Sequence, residues 1–148
     1  MTAPTAVSSA LADPDPSDCL FCGIVAGWVP SHTVYDDERT VAFLDVNPAT
    51  RGHLLVVPRA HTRDLLSAPP VDLAACAQAA QLLAGRLAER LGASGVNVLN
   101  ACGSAAWQTV PHLHLHIVPR YDDDPLQLPW VPAPADPDAL SALGAQLR

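Results

Sequence analysis

The chain has 148 residues, 49% hydrophobic and 16% charged, which suits one globular domain with a real core. Its formal net charge is −7, and all eight basic residues are arginine; this argues against a general nucleic-acid binder, which needs a basic footprint. No stretch reaches the roughly 18 consecutive apolar residues of a membrane-spanning helix.

Residues 1–18 begin MTAPTAVSSALADPDPS and read as a disordered tail. The tail has neither a basic n-region nor a continuous apolar h-region, so it is a poor secretory signal, and a cytoplasmic protein is expected. Four cysteines in such a chain suggest thiols or metal ligands rather than disulfides. CLFCGIVA (19–26) predicts a short helix or turn. Strands follow near 33–36 and 40–45, and after the NPATRG turn at 53–58. Pro69-Pro70 opens a long helix over about 70–91, with Gly92 as its stop. On that helix Leu73, Cys76, Ala80, Leu83, Leu87 and Leu91 recur at three- and four-residue steps and form one apolar stripe. GVNVLNA (95–101) is a fourth strand and HLHLHIVP (112–119) a fifth. Residues 122–148 form a C-terminal extension: acidic, then proline-rich, then helical over 138–147. Three strands, a helix and two strands describe an α+β domain with a mainly antiparallel sheet.

In the fifth strand HLHLHIV (112–118) repeats with period two. His112, His114 and His116 therefore share one face, and Leu113, Leu115 and Ile117 the other. The leucine face suits a core, while the histidine face must meet water, a metal or a site. Cys19-x-x-Cys22 is a zinc half-site by spacing. A redox role of the thioredoxin type would come with a βαβ pattern, which this chain lacks. The half-site needs two more ligands from among His32, His53, His61, His112, His114 and His116. A closed Cys₂His₂ site would be structural, because it leaves no coordination position for water. The rival is a catalytic zinc held by the triad itself.

Three segments, CLFCGIVAG, VYDDERTVAFLDVNPATRGHLLVVPRAH and NACGSAAWQTVPHLHLHIVPRY, together resemble the histidine-triad (HIT) family, close to its Hint and bacterial HIT branch. The resemblance spans about residues 19–121 and carries the signature His-φ-His-φ-His-φ-φ, with φ apolar. It implies a HIT-like fold with a five-stranded sheet, one long helix and a short N-terminal helix. It also implies nucleotide chemistry: hydrolysis or nucleotidyl transfer at the α-phosphorus of purine nucleoside monophosphate derivatives, phosphoramidase-like, through a covalent nucleotidyl-histidine. His114 matches the nucleophile, with its other nitrogen held by the His112 carbonyl. His116, Gln108 and Thr109 match phosphate contacts, with Asn100 beside them, and His53 is a further histidine facing the site. Asp45 matches the acceptor of the ribose hydroxyls, and Phe21, Ile24, Val29, Phe43 and Val46 the pocket for the base. Cys19, Cys22, His61 and His112 match a structural Zn²⁺ site. A homodimer is implied, with the long helix and fourth strand at its interface. Dinucleoside polyphosphate hydrolysis would use the same residues, and a non-catalytic nucleotide-binding module is the non-enzymatic alternative.

One departure stands out. Many relatives have glycine before the Gln-Ser/Thr-Val step, where this chain has Trp107. Glycine there lets the backbone approach phosphate closely; a tryptophan instead walls the leaving-group side. Other residues read as structural: Cys76 as core, Cys102 as a loop thiol, His32 and Asp122–Asp124 as solvated loops, and Arg59 as a surface charge.

Overall fold

The computed structural model describes residues 13–148. Residues 1–12 of the expected tail lie outside the described residues. Pro16–Asp18, expected to be disordered, instead form a 3-10 turn. Asp15 stabilises it by accepting from both the backbone N–H and the hydroxyl of Ser17.

The elements run α1 (Leu20–Val25), β1 (Thr33–Asp36), β2 (Thr40–Leu44), β3 (Leu54–Pro58), α2 (Pro70–Leu91), β4 (Gly95–Leu99), β5 (Leu115–Arg120) and α3 (Pro137–Leu147). They build one antiparallel sheet in the order β1-β2-β3-β5-β4, so the α+β reading holds. Among the described residues no helix is long and apolar enough to cross a membrane.

Register assigns the two faces. Phe43 opposes Leu55, and Leu55 opposes His116, so these three share a face with Val41 and Val57. Ala42, Leu54, Val56, Leu115 and Ile117 point the other way and pack on Cys76, Ala79, Ala80, Leu83 and Leu87 of α2. Cys76 is the core residue it was expected to be. The α2 stripe is displaced from expectation: Ala79 and Asp72 are buried, and Leu73 is only half-buried. Asp72 tolerates its position at the helix start because Arg39 pairs with it at 3.5 Å. Ala79 thus belongs to the core.

The second face carries α1 and the histidines. Cys19 caps α1 by accepting from the Cys22 N–H at 3.5 Å, and Phe21 packs on Phe43 at 5.5 Å between ring centroids. Gly52 turns the chain into His53 at φ 91°, and a Cβ there would lie 2.7 Å from the Leu91 side chain. The fifth strand starts later than expected, at Leu115. Leu113 donates its N–H to the Thr62 carbonyl at 2.7 Å, so residues 112–114 leave the ladder and lean on the loop that carries His61. The alternation of side chains nevertheless continues through them.

Candidate active site

The three clustered histidines have three different sets of partners, and those partners fix their protons. His112 is fully buried. Its Nε2 lies 2.9 Å from the Pro58 carbonyl and must donate to it. Nδ1 is then a lone pair, 3.4 Å from Cys19 Sγ and 3.5 Å from Cys22 Sγ. His61 mirrors it: Nε2 donates to the Asp13 carboxylate at 2.9 Å, and Nδ1 lies 3.2 Å from Cys22 Sγ.

The four ligand atoms of Cys19, Cys22, His61 and His112 all lie within 4.8 Å of one another. Tetrahedral zinc, with bonds of about 2.3 Å to sulfur and 2.0 Å to nitrogen, needs sulfur and nitrogen about 3.5 Å apart. The observed separations of 3.2–3.5 Å need only slight expansion to admit the ion. Both imidazoles also have the second partner that orients a metal-binding histidine. The donor set therefore fits zinc. Burial, then Cys19 beside it, pushes the Cys22 thiol up to about 12, so the pocket disfavours a thiolate until a cation joins it.

His114 faces differently. Its Nδ1 lies 2.7 Å from the His112 carbonyl, so Nδ1 carries the proton and Nε2 presents a lone pair. Phe21 stands edge-on to the ring at 5.1 Å, and Asn100 donates to the His114 carbonyl at 3.0 Å. Burial depresses the pKa of His114 below the ordinary histidine value, against an upward pull from the His112 carbonyl and Asp45. The ring is therefore neutral near pH 7.

His116 belongs to a relay. The Ala49 N–H donates to His53 Nδ1 at 3.0 Å. The His53 proton must then sit on Nε2, which donates to His116 Nδ1 at 3.0 Å. The His116 proton is left on Nε2. Burial lowers His116 to about 4, with His114 and His53 beside it adding to the effect, so it is a neutral donor. Asp45, His53 and His116 also form a cluster of metal-binding type, but the hydrogen bond between the two rings already accounts for their approach. The triad as one zinc ligand set is not what the chain builds: His112 sits with the thiols and His116 with His53.

A cavity of about 330 Å³ opens onto His114 and His116, within the range of small-molecule sites. Phe21, Ile24, Phe43, Asp45, Val46 and Thr109 line it as expected, together with Leu20, Pro30, Leu55 and Val110. Four expected site residues do not: His53 and Asn100 line a neighbouring cavity, and Val29 and Gln108 pack elsewhere. Val29 packs against Gly23, where its methyl would lie 2.7 Å from an added Cβ. Gln108 is 3% exposed and turned inward. Its amide donates to the Arg63 and Val110 carbonyls, and its oxygen accepts from the Gly103 N–H. Gln108 therefore braces two loops and has no donor free for phosphate. Asp45 Oδ1 accepts from the Asn47 N–H at 2.8 Å, and its other oxygen lies 3.7 Å from His53 Nε2.

The sequence did not reveal the Pro58 carbonyl, the Asp13 carboxylate or the Ala49 amide. Each acts through a contact made only in the folded chain, and no local pattern marks it. Among the residues read as structural, His32 is exposed and Arg59 pairs with Asp36 and the Asp37 carbonyl. Asp124, expected to be solvated, instead holds Arg120 and the Tyr121 and Leu126 N–H groups.

Comparison with known proteins shows the family and the fold. Residues 26–123 match the model of the HIT domain. A HIT-like protein of Methanocaldococcus jannaschii is 41% identical over 106 residues, 72% of this chain and 81% of that protein. An adenylylsulfatase of Arabidopsis thaliana is 36% identical, over 73% of this chain and 55% of its own length. A Streptococcus mutans crystal structure superposes with a TM-score of 0.84 at 39% identity, covering 88% of this chain and 83% of that one. A zinc-bound histidine triad family protein from Mycobacterium smegmatis does so with a TM-score of 0.74 at 38% identity, covering 89% and 99%.

Proposed function

The chain belongs to the HIT domain family, a family of nucleotide-binding hydrolases and transferases, and from that premise we propose that it acts at the α-phosphorus of purine nucleoside monophosphate derivatives, with His114 as nucleophile. The observation that carries the reading is the 2.7 Å contact of His114 Nδ1 with the His112 carbonyl. It leaves the Nε2 lone pair of a neutral ring beside an apolar, base-sized cavity.

The base lies among Phe21, Ile24, Phe43 and Val46, and Asp45 accepts from the ribose. His114 Nε2 bonds to phosphorus. The bond from phosphorus to the leaving group breaks, and its electron pair departs with that group, which takes a proton from water. His116 Nε2–H, with Thr109 beside it, donates to the phosphoryl oxygens. Water then attacks phosphorus, the P–Nε2 bond breaks, its pair returns to His114, and the water's proton is released. A nucleotide with another acceptor in place of water gives transfer instead.

Cys19, Cys22, His61 and His112 would hold zinc, which supplies rigidity and no open coordination position. Its effect on the chemistry passes through His112, whose carbonyl holds His114. Phosphoramidates are the first substrates we propose, and the likeness to an adenylylsulfatase supports sulfated adenylates as a second set at the same phosphorus. We also infer a homodimer: β4 is an edge strand, with Val98 51% and Leu99 50% exposed, and such an edge invites pairing with a second copy across a two-fold axis.

The test is turnover of adenosine 5′-phosphoramidate by the wild-type chain and by His114→Ala. Retained nucleotide affinity with turnover reduced by orders of magnitude supports the reading. A near-wild-type rate in the variant overturns it. Nucleotide binding without turnover in the wild type would make the chain a binding module.

A further inference from the structure

The chain enters the Cys₂His₂ cluster through a stiff segment. Residues 13–19 read Asp-Pro-Asp-Pro-Ser-Asp-Cys, and the two prolines fix their own φ angles. Pro16–Asp18 form a 3-10 turn. Asp15 holds it by accepting from the Ser17 N–H at 2.8 Å and the Ser17 hydroxyl at 2.6 Å, and the Asp15 carbonyl accepts from the Asp18 N–H at 2.8 Å. The turn runs directly into Cys19, whose buried thiol belongs to the cluster.

Asp13 stands at the other end of this segment. Its Oδ1 lies 2.9 Å from His61 Nε2, while Nδ1 of the same ring faces Cys22 Sγ at 3.2 Å. The segment therefore meets the cluster at two places, covalently at Cys19 and across space at His61. The Asp13 side chain is 53% exposed and that of His61 14%, and an exposed pair of charges contributes little by itself. What distinguishes this pair is the direction of the ring. With Nε2–H committed to Asp13, the His61 lone pair is held on Nδ1 and aimed at the thiols. A cation on Nδ1 draws electron density from the ring and makes Nε2–H a stronger donor. It also fixes His61 relative to Cys19, the two points that residues 13–18 span, so the segment closes with less loss of chain freedom.

We propose that Asp13 is the positioning residue for His61 in zinc binding, and that residues 13–18 form a latch whose closure and zinc occupancy support each other. The inference rests on the zinc reading given above. Linkage makes the effect reciprocal: the factor by which the closed latch tightens zinc is the factor by which zinc favours closure.

The test strips the full chain of metal and titrates it with zinc against a chromophoric chelator, as wild type, Asp13→Ala and Asp13→Glu. Asp13→Ala should weaken zinc binding about tenfold, the low end for a lost partner of a metal-bound histidine because the contact is half exposed. Asp13→Glu keeps the carboxylate and should recover most of the affinity. The metal-free wild type and Asp13→Ala should melt alike. Hydrogen exchange reads the latch itself. Zinc should slow exchange of the Asp18 and Cys19 N–H groups, which donate to the Asp15 and Pro16 carbonyls, and Asp13→Ala should lose about tenfold of that protection. Zinc affinity within twofold of wild type in Asp13→Ala, or equal protection by zinc in both chains, overturns the latch and leaves the zinc site standing. Weaker binding that Asp13→Glu does not rescue, with lower metal-free melting in both variants, overturns it as an ordinary structural loss. A wild type that takes up no zinc overturns the latch and the zinc reading together.

Discussion

Replacing His53 isolates the relay that sets the His116 proton. His53 is 6% exposed and joins the Ala49 N–H to His116 Nδ1 through two contacts of 3.0 Å. His53→Ala removes the donor to Nδ1, so neutral His116 is free to hold its proton there and present a lone pair, rather than N–H, to the phosphoryl group. Loss of one preorganised donor of this kind lowers kcat by about 10²–10³, or roughly 2.7–4 kcal/mol in the barrier. The unpartnered Nδ1 and Ala49 N–H add about 1–3 kcal/mol of lost stability, with the upper end applying only if water fails to reach them. KM should move little, because His53 does not line the base cavity. His53→Gln is the informative control, since its amide N–H can donate where Nε2 did, and it should recover most of the rate. The assay is steady-state hydrolysis of adenosine 5′-phosphoramidate beside a melting curve for each variant. The reasoning is refuted if His53→Ala stays within about threefold of wild-type kcat. It is refuted equally if His53→Gln is as slow as His53→Ala while melting like the wild type.

The other predictions concern stability and assembly. Elemental analysis should find one zinc per chain, and Cys19→Ser should lower stability by about 3 kcal/mol or more, a fall of about 6–12 °C in melting temperature; a metal-free chain that melts the same with and without chelator contradicts the site. Because burial holds His116 near 4, an unfolded chain takes a proton at that residue below about pH 6.5 that the folded chain refuses until about pH 4. His116, and His53 in the same direction, therefore make stability fall as pH drops through that window, and urea midpoints that rise between pH 6.5 and 4.5 would contradict it. Light scattering should give about twice the 15.5 kDa chain mass, and Val98→Arg on the β4 edge should return it to one chain; an unaltered dimer moves the interface elsewhere.

The fold was legible because pattern and burial agree. The α2 stripe and the alternation in β5 each pointed one face inward, and the mainly antiparallel sheet was read from the order of three strands, a helix and two strands. Cys19, Cys22, His61 and His112 came together as the family resemblance implied, although spacing alone could not choose among six histidines. What local sequence could not show is where a side chain turns once loops meet. Gln108 stands beside Thr109 in the motif, yet Gly103, Arg63 and Val110 draw its amide inward while Thr109 faces the cavity. The family resemblance assigned Val29 to the base pocket, but the missing side chain at Gly23 gives it a closer place to pack. The late start of β5 has the same origin, since a carbonyl from the 58–62 loop captures the Leu113 N–H. Trp107 was visible as a departure from the family's glycine, and its φ of 71° lies in the left-handed region that glycine adopts most readily.

The central claim is that His114 Nε2 becomes covalently bonded to phosphorus during turnover. Rapid mixing with adenosine 5′-phosphoramidate, alkaline quenching to preserve the P–N bond, and peptide mass spectrometry test it directly. The account predicts one nucleotidyl group on His114, formed and lost at rates that match turnover and absent from His114→Ala. A protein that hydrolyses the substrate with no adduct under these conditions, or with the adduct on another residue, contradicts it.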